Sequence, residues 1–192
     1  IYRVTEAAFQ GRPYAGGDEQ DLVNRLRKLG QISLSLVAVD CEDLVGQVTF
    51  SPVTLSDGSR PWFGLGPISV TPDRQGEGIG GQLIRVGLDE IDCRGALGCV
   101  LTGNPIYYQR FGFQPAPRNV PEEESAEFFQ IKLMKAVRTE GTFAFHPAFY
   151  QGGGDLWTIS DAGARVGVLK QNSRNRSVLE CGCPASGRMP AY

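Results

Sequence analysis

The 192-residue sequence is poor in several kinds of residue, and each shortage argues against a class of structure or partner. Lysine and arginine number 19 against 21 aspartates and glutamates, so the basic surplus typical of nucleic-acid-binding proteins is missing. No run approaches the roughly 20 apolar residues that a membrane-spanning helix needs. The one histidine is His146, and Cys181 and Cys183 have no second cysteine pair to complete a zinc site. We therefore expect no nucleic acid, no membrane and no metal.

The five cysteines are few, odd in number and mostly set in apolar segments. This usage is typical of a reducing compartment, and we expect a cytoplasmic protein. The chain begins at Ile1 rather than at a methionine and shows no signal peptide, which we interpret as a trimmed or incomplete N-terminus. The length predicts one domain whose core is large enough to need no disulfide.

The hydrophobic pattern predicts a mixed, mostly antiparallel α/β sheet flanked by helices, within one domain over residues 1–150. A proline in the third strand, at Gly66-Pro67, predicts a bulge or local splaying there. The glycines at 152–154 predict a linker to a C-terminal extension, 151–192, in which 156–160 (LWTIS) has the composition of a strand. Helices are predicted at about 1–10, 17–30, 78–93 and 104–112, and strands at 32–40, 44–53, 62–70, 96–101, 128–134 and 141–145.

The stretch PDRQGEGIGGQL, residues 72–83, has four glycines in six positions. Glycine allows close approach to the main chain and positive φ angles. The first N–H groups of a helix are unsatisfied and favour an anion. The stretch therefore predicts a diphosphate bound at residues 75–81, where the third predicted helix begins.

Two known patterns fit this stretch. As G-x-G-x-x-G, through Gly76, Gly78 and Gly81, it matches the dinucleotide fingerprint and would indicate a nucleotide-binding oxidoreductase. That pattern expects the loop directly after a strand and an acidic residue about 20 residues on, and neither is present. As Q-x-x-G-x-G, through Gln75, Gly78 and Gly80, it matches an acyl-coenzyme A loop.

Two motifs decide between these patterns. ISVTPDRQGEGIGGQLI resembles the central V-x-P-x-x-Q/R-x-x-G-x-G/A motif of the GNAT superfamily of N-acetyltransferases. Downstream, NPIYYQRFGF (104–113) resembles the second GNAT element, in which a tyrosine, here Tyr108, lies four residues before Gly-Phe. Its form is most similar to the YhbS-like branch of predicted acetyltransferases. The resemblance covers about residues 1–150 and implies the GNAT fold.

The resemblance also implies a reaction, in which acetyl-CoA gives its acetyl group to a primary amine that attacks it directly. The Val70 main-chain N–H would donate to the acetyl oxygen, and Tyr108 would donate to the departing sulfur. The alternative is an acyl-CoA sensor without catalysis. The acceptor is an unidentified small molecule or peptide, and a homodimer is one assembly that the superfamily suggests. The implied coenzyme A contacts are Ile68, Val70, Arg74, Gln75, Gly76, Gly78, Ile79, Gly80, Gly81, Asn104 and Tyr108.

Other polar residues have plainer interpretations. Asn104 is an N-cap before Pro105, and His146 is expected to be structural, with a place on the substrate side as the alternative. Glu6, Asp18 and Glu19 are surface or capping charges, or lie beside the amine, because GNAT acceptor pockets are often bounded by the first two helices.

The sequence also departs from the family. We expect the strand that precedes the first helix in the GNAT fold to be absent here, which would leave an exposed sheet edge. We expect residues 156–160 or a partner chain to cover that edge.

Overall fold

The computed structural model describes residues 1–11, 17–136, 138–151, 166–172 and 176–180. The helices are α1 Tyr2–Phe9, α2 Glu19–Lys28, α3 Ile79–Cys93 and α4 Pro105–Tyr108, with short 3-10 turns at Pro72–Arg74, Gln109–Phe111 and Pro147–Phe149. The strands are β1 Leu34–Asp40, β2 Asp43–Leu55, β3 Trp62–Val70, β4 Gly98–Thr102, β5 Gln114–Pro115, β6 Phe129–Leu133, β7 Phe143–Ala144, β8 Val166–Asn172 and β9 Arg176–Glu180. Within that part of the chain, no helix is long and apolar enough to cross a membrane.

The strands form a single mixed sheet in the order β5-β6-β4-β3-β2-β1-β8-β9, and β7 pairs with β2 outside this path. β1, β2 and β3 form an antiparallel meander, β3 and β4 are parallel, and β4, β6 and β5 are antiparallel. The predicted mixed, mostly antiparallel α/β sheet with flanking helices is therefore confirmed. The last two predicted strands of the 1–150 region are both present, but β6 pairs with β4 and β5 whereas β7 pairs with β2.

The outer edge of β1 is covered by a strand from the C-terminal segment. β8 runs parallel to β1, with Ser35 opposite Val166 and Asp40 opposite Gln171. The expected edge strand, 156–160, lies outside the described residues. The division at residue 150 stays a prediction.

α3 packs on one face of the sheet and makes the main hydrophobic core with it. Phe50 of β2 lies directly under Gly87 of α3, where an added Cβ would overlap the phenyl ring. Gly46 of β2 likewise lies against Ile79 and Leu83. These small residues let the helix approach the sheet closely, so the start of α3 is held rigidly against β2 and β3.

The opposite face carries a different set of side chains. Gln47, Thr49 and Ser51 alternate with the apolar-face residues of β2, so all three lie on the face toward α1. Ser35 is opposite Thr49 in the register, and Ser69 is opposite Gln47. All five side chains are buried, with at most 3% of their surface exposed.

Candidate active site

The sheet opens between β3 and β4. These parallel strands pair only at Trp62–Gly98, Phe63–Cys99 and Gly64–Val100. Residues 65–70 of β3 continue beyond that point paired to β2 alone, which leaves a wedge between the strands.

A bulge lies where the wedge begins. The register opposes Val48 to Ile68 and Phe50 to Leu65, so Gly66 and Pro67 together face the single residue Thr49. The bulge and the splaying predicted from the proline are therefore both present.

The main chain at the end of β3 points into this wedge. The Thr71 N–H donates to the Val45 carbonyl at 2.9 Å, and the register places Val70 opposite Gly46. In an antiparallel ladder, hydrogen-bonded pairs alternate with pairs whose N–H and C=O groups point away from each other. The Thr71 bond makes Gly46–Val70 a pair of the second kind. The Val70 N–H is therefore directed away from β2 and into the wedge.

The glycine-rich loop joins this strand end to α3. Gly76 and Gly78 have φ of 87° and 85°, a left-handed conformation that favours glycine. Gly78 is the N-cap of α3, so the N–H groups that follow it at the helix start have no carbonyl partners within the helix. Gln75 Nε2 donates to the Val70 carbonyl at 3.0 Å, which ties the loop to the strand. This geometry suits an anion at the predicted position.

The first turn of α3 packs on the neighbouring elements. Ile79 is buried in the core, so its side chain anchors the helix while its backbone faces the loop. A Cβ at Gly80 would lie 3.4 Å from the Tyr107 hydroxyl and 3.8 Å from Ile68 Cδ1. A Cβ at Gly81 would lie 3.4 Å from Nη1 of Arg85. The predicted residues Ile68, Gly80 and the loop are thus brought together at one corner of the wedge.

Arg74 is engaged by carboxylates. Its Nη1 donates to Asp40 Oδ2 at 2.7 Å, and its Nε donates to Glu77 at 2.9 and 3.0 Å. These hydrogen bonds, first to Asp40 and then to Glu77, raise the pKa of the Arg74 guanidinium. The predicted contact between Arg74 and a phosphate would have to compete with both carboxylates. Glu77 itself, between two glycines of the loop, places a negative charge beside the predicted anion site.

Tyr108 is the last residue of α4, on the other side of the wedge. Its ring lies against Gly103, directly after β4, and makes edge contacts with Tyr107 at 4.9 Å and Phe113 at 6.0 Å between ring centroids. Asn104 caps α4, because its Oδ1 accepts from the Ile106 N–H at 3.0 Å. The cap interpretation of Asn104 is therefore confirmed. Its predicted contact with coenzyme A stays a prediction.

A cavity of about 580 Å³ lies between the end of α1 and the start of α2. Glu6 and Glu19 are among its lining residues, together with Gln10 and Gln20. Asp18 lies outside that lining and forms an ion pair with Arg25 at 2.6 Å.

His146 is structural, as expected, because its Nδ1 accepts from the Ala148 N–H at 3.1 Å and caps a 3-10 turn. Across the described ranges, no group of three potential metal ligands comes together.

Sequence reasoning missed two neighbours of the site. The hydroxyl of Tyr107 lies beside Gly80 at the start of α3. The Asp40 carboxylate forms an ion pair with Arg74 at 2.7 Å. The first could have been found from the adjacent tyrosines of α4. The second depends on the fold, because 34 residues separate the two partners.

Comparison with known proteins agrees with this geometry. A family model described as an acetyltransferase (GNAT) domain matches residues 1–116. The chain belongs to the GNAT family. It is 38% identical over 110 residues to the uncharacterized N-acetyltransferase YhbS of Escherichia coli strain K12, covering 57% of this chain and 66% of YhbS. It is 33% identical over 127 residues to the uncharacterized N-acetyltransferase YjhQ of the same strain, covering 60% and 70%.

Solved structures of GNAT proteins share the fold. A GNAT family acetyltransferase from Brucella melitensis, crystallised with acetyl-CoA, has 43% identity and a TM-score of 0.69, over 78% of this chain and 89% of that one. Escherichia coli YhbS, crystallised with CoA, has 28% identity and a TM-score of 0.68, over 79% and 88%. The resemblance to the YhbS-like branch is thereby confirmed. The chain spans just under two thirds of the length of YhbS in the sequence comparison.

Proposed function

We propose that this GNAT chain is an acetyl-CoA-dependent N-acetyltransferase that acts on a primary amine. The observation that carries the proposal is the wedge between β3 and β4, with the Val70 N–H directed into it and the glycine-rich helix start at one corner. Two solved relatives with the same fold hold acetyl-CoA or CoA, which supports the same ligand here. Family membership favours this ligand over a dinucleotide.

In this proposal coenzyme A lies along the opened edge of β3. The pyrophosphate binds the backbone N–H groups of residues 75–81, where the helix dipole and unpaired N–H groups favour a double negative charge. The pantetheine arm runs along Ile68 and Val70, whose outward-facing main-chain groups can pair with its amides as an added strand would. Asn104 and Tyr108 face the thioester end from α4.

The chemistry then needs three contributions. A lysine-like amine with a pKa near 10.4 costs about 4 kcal/mol to deprotonate at pH 7.4, so the site must accept that proton. Attack by the neutral amine makes the carbonyl oxygen negative, and the Val70 N–H stabilises it. The carbon–sulfur bond then breaks, and the Tyr108 hydroxyl donates to the leaving sulfur. Because a thiol has a pKa of about 8.5, modest help suffices.

The direct test is calorimetric titration with acetyl-CoA, CoA and NAD. We expect binding of both coenzyme A species and none of NAD. Gly78→Glu should abolish binding, because it places a side chain at φ 85° and a carboxylate at the anion site. Gly58→Glu is the matched control, since Gly58 has φ 81° and open space around it in another loop. A chain that binds NAD but not CoA would contradict the proposal.

Turnover is measured by thiol release from acetyl-CoA with a panel of polyamines, amino acids, aminoglycosides and peptides. Release that depends on one class of amine identifies the acceptor. Tight CoA binding with no release on any amine would favour the sensor interpretation. Size-exclusion chromatography with light scattering tests whether the chain forms a homodimer. The cysteines, which are few and odd in number, support a location in the reducing cytoplasm.

A further inference from the structure

A hydrogen-bonded set of buried side chains joins α1, β2 and β3 directly behind the wedge. Gln47 Nε2 donates to the Pro67 carbonyl at 3.2 Å and to Thr5 Oγ1 at 3.4 Å. Thr49 Oγ1 donates to Gln47 Oε1 at 3.1 Å. The hydroxyls of Thr5 and Ser69 are 3.1 Å apart. We call these four side chains, Thr5, Gln47, Thr49 and Ser69, the buried polar set.

Each hydrogen-bonding proton in the buried polar set has an acceptor. Thr5 Oγ1 has one proton and lies 3.1 Å from the Ile1 carbonyl, which can only accept. Ser69 therefore donates to Thr5 Oγ1, and Gln47 donates to the same oxygen. Both amide protons of Gln47 and its carbonyl oxygen are thus used. A set in which each member fixes the next is stiff.

Polar side chains in this position need an explanation. The same strand contributes Val48 and Phe50 to the apolar core on its other face. A buried polar group that lacks a hydrogen-bond partner costs about 1–3 kcal/mol, so every member of a buried polar set must be paired. Apolar residues would fill this layer between the sheet and α1 at lower cost.

The set lies against the strand that carries one particular peptide unit. Ser69 and Val70 share the peptide whose N–H is directed into the wedge, and Gln47 is opposite Ser69 in the register. Gln47 also holds the carbonyl of Pro67 in the bulge, two residues earlier. On the other side, Gln75 holds the Val70 carbonyl. The Ser69–Val70 peptide, which would meet the acetyl oxygen, therefore lies between two carbonyls that side chains hold, those of Pro67 and Val70.

We infer that Gln47 is a positioning residue, which aims the Val70 N–H at the acetyl oxygen by fixing Pro67 directly and Ser69 through Thr5. This inference rests on the proposed function, because it gives the Val70 N–H a carbonyl to meet. It adds that α1 is part of the catalytic framework, since Thr5 contributes the hydroxyl on which Gln47 and Ser69 meet.

The test is infrared spectroscopy of acetyl-CoA labelled with ¹³C at the acetyl carbonyl. A hydrogen bond from the Val70 N–H lowers the carbonyl stretching frequency of the bound ligand relative to the free one. In Gln47→Met, which keeps similar bulk and removes all three hydrogen bonds, we expect more than half of this lowering to be lost. CoA affinity should stay within about threefold, because the diphosphate loop is untouched.

Ser51→Ala is the matched control. Ser51 lies on the same strand and face as Gln47 and is equally buried, and its hydroxyl has no hydrogen-bond partner among the described residues. Its frequency shift should equal that of the wild type. If Gln47→Met does not fold, Ser69→Ala and Thr5→Val test the same set with smaller changes, and each should reduce the shift.

The outcomes separate the two proposals. A wild-type chain that binds no acetyl-CoA overturns the proposed function before the variants are measured. Normal CoA binding with an unchanged carbonyl frequency in Gln47→Met, or in both smaller variants, overturns the positioning role alone. A reduced shift in the set variants and a normal one in Ser51→Ala supports it.

Discussion

The two faces of the central sheet are equally buried but differ in chemistry. On the α3 face, Val48 and Phe50 of β2 pack with Leu83 and other aliphatic side chains. On the α1 face, Gln47 and Thr49 of the same strand lie among hydroxyls. The first face provides stability through burial of hydrocarbon. The second gives up part of that gain, and it does so beside the wedge where the proposed reaction takes place.

The difference shows that burial alone does not identify a hydrophobic core. Further along the same strand, Val53 and Leu55 join a second apolar cluster with Trp62 and Phe143. On the α1 face of β2, the buried polar side chains are therefore confined to residues 47–51, the part of the strand next to the bulge. Its position, rather than its composition alone, indicates a role in shaping the site.

The largest expected effect belongs to the apolar face. Phe50→Ala should destabilise the chain by about 3–5 kcal/mol, because it leaves a cavity under Gly87 that the helix cannot fill. Urea unfolding followed by circular dichroism measures the change. Phe50→Leu is the control and should cost less. A loss below about 1 kcal/mol for Phe50→Ala would break the comparison, because the apolar face would then not dominate stability.

Tyr108→Phe is expected to affect turnover while leaving packing intact. Loss of the hydroxyl should lower amine-dependent thiol release about 100-fold, with CoA affinity nearly unchanged, because general-acid help is lost and the ring stays. Tyr107→Phe removes the neighbouring hydroxyl, which lies beside Gly80. A greater loss in Tyr107→Phe than in Tyr108→Phe would show that Tyr107, and not Tyr108, is the proton donor.

Glu77→Gln should strengthen CoA binding about threefold at low salt, because it removes a negative charge from the anion-binding loop and frees Arg74 from one carboxylate. The gain should shrink as salt is added. Asp40→Asn frees Arg74 from its other partner without altering the loop, and so separates the two causes. Weaker binding by Glu77→Gln would mean that the ion pair is needed to shape the loop.

The smallest expected change in stability belongs to Ser51, the residue that follows Phe50. Ser51→Ala should leave the free energy of unfolding unchanged or raise it by up to about 1 kcal/mol, because a buried hydroxyl without a partner is replaced by a methyl group. Ser35→Ala, on β1, should behave alike. A clear loss of stability in both variants would show that these hydroxyls do have partners, and that the polar face contributes to folding.

Much of the fold followed from local sequence patterns. The left-handed glycines at 76 and 78, the Asn104 cap and the bulge at Pro67 each depend on a few adjacent residues, and the structure has all three. The wedge followed from the same proline together with the family resemblance.

The buried polar set did not follow from the sequence. Alternation in β2 tells which residues share a face but not whether a helix covers that face. Gln47 and Thr49 therefore fit an ordinary strand with a solvent-facing side. The link from Thr5 to Ser69 spans 64 positions, and only the packed chain brings those two hydroxyls together. The same holds for the ion pair between Asp40 and Arg74.

The extra residue of the Gly66-Pro67 bulge sets the phase of everything that follows it on β3. Before the bulge, Phe63 and Leu65 point toward α3, and after it Ile68 and Val70 do so. If the same residues alternated strictly, without a bulge, Ser69 would point into the hydrocarbon layer, so the bulge keeps Ser69 on the α1 face by taking up one extra residue. Deleting one of the two bulge residues should therefore straighten β3 and leave the inward and outward sides of residues 68–70 as they are.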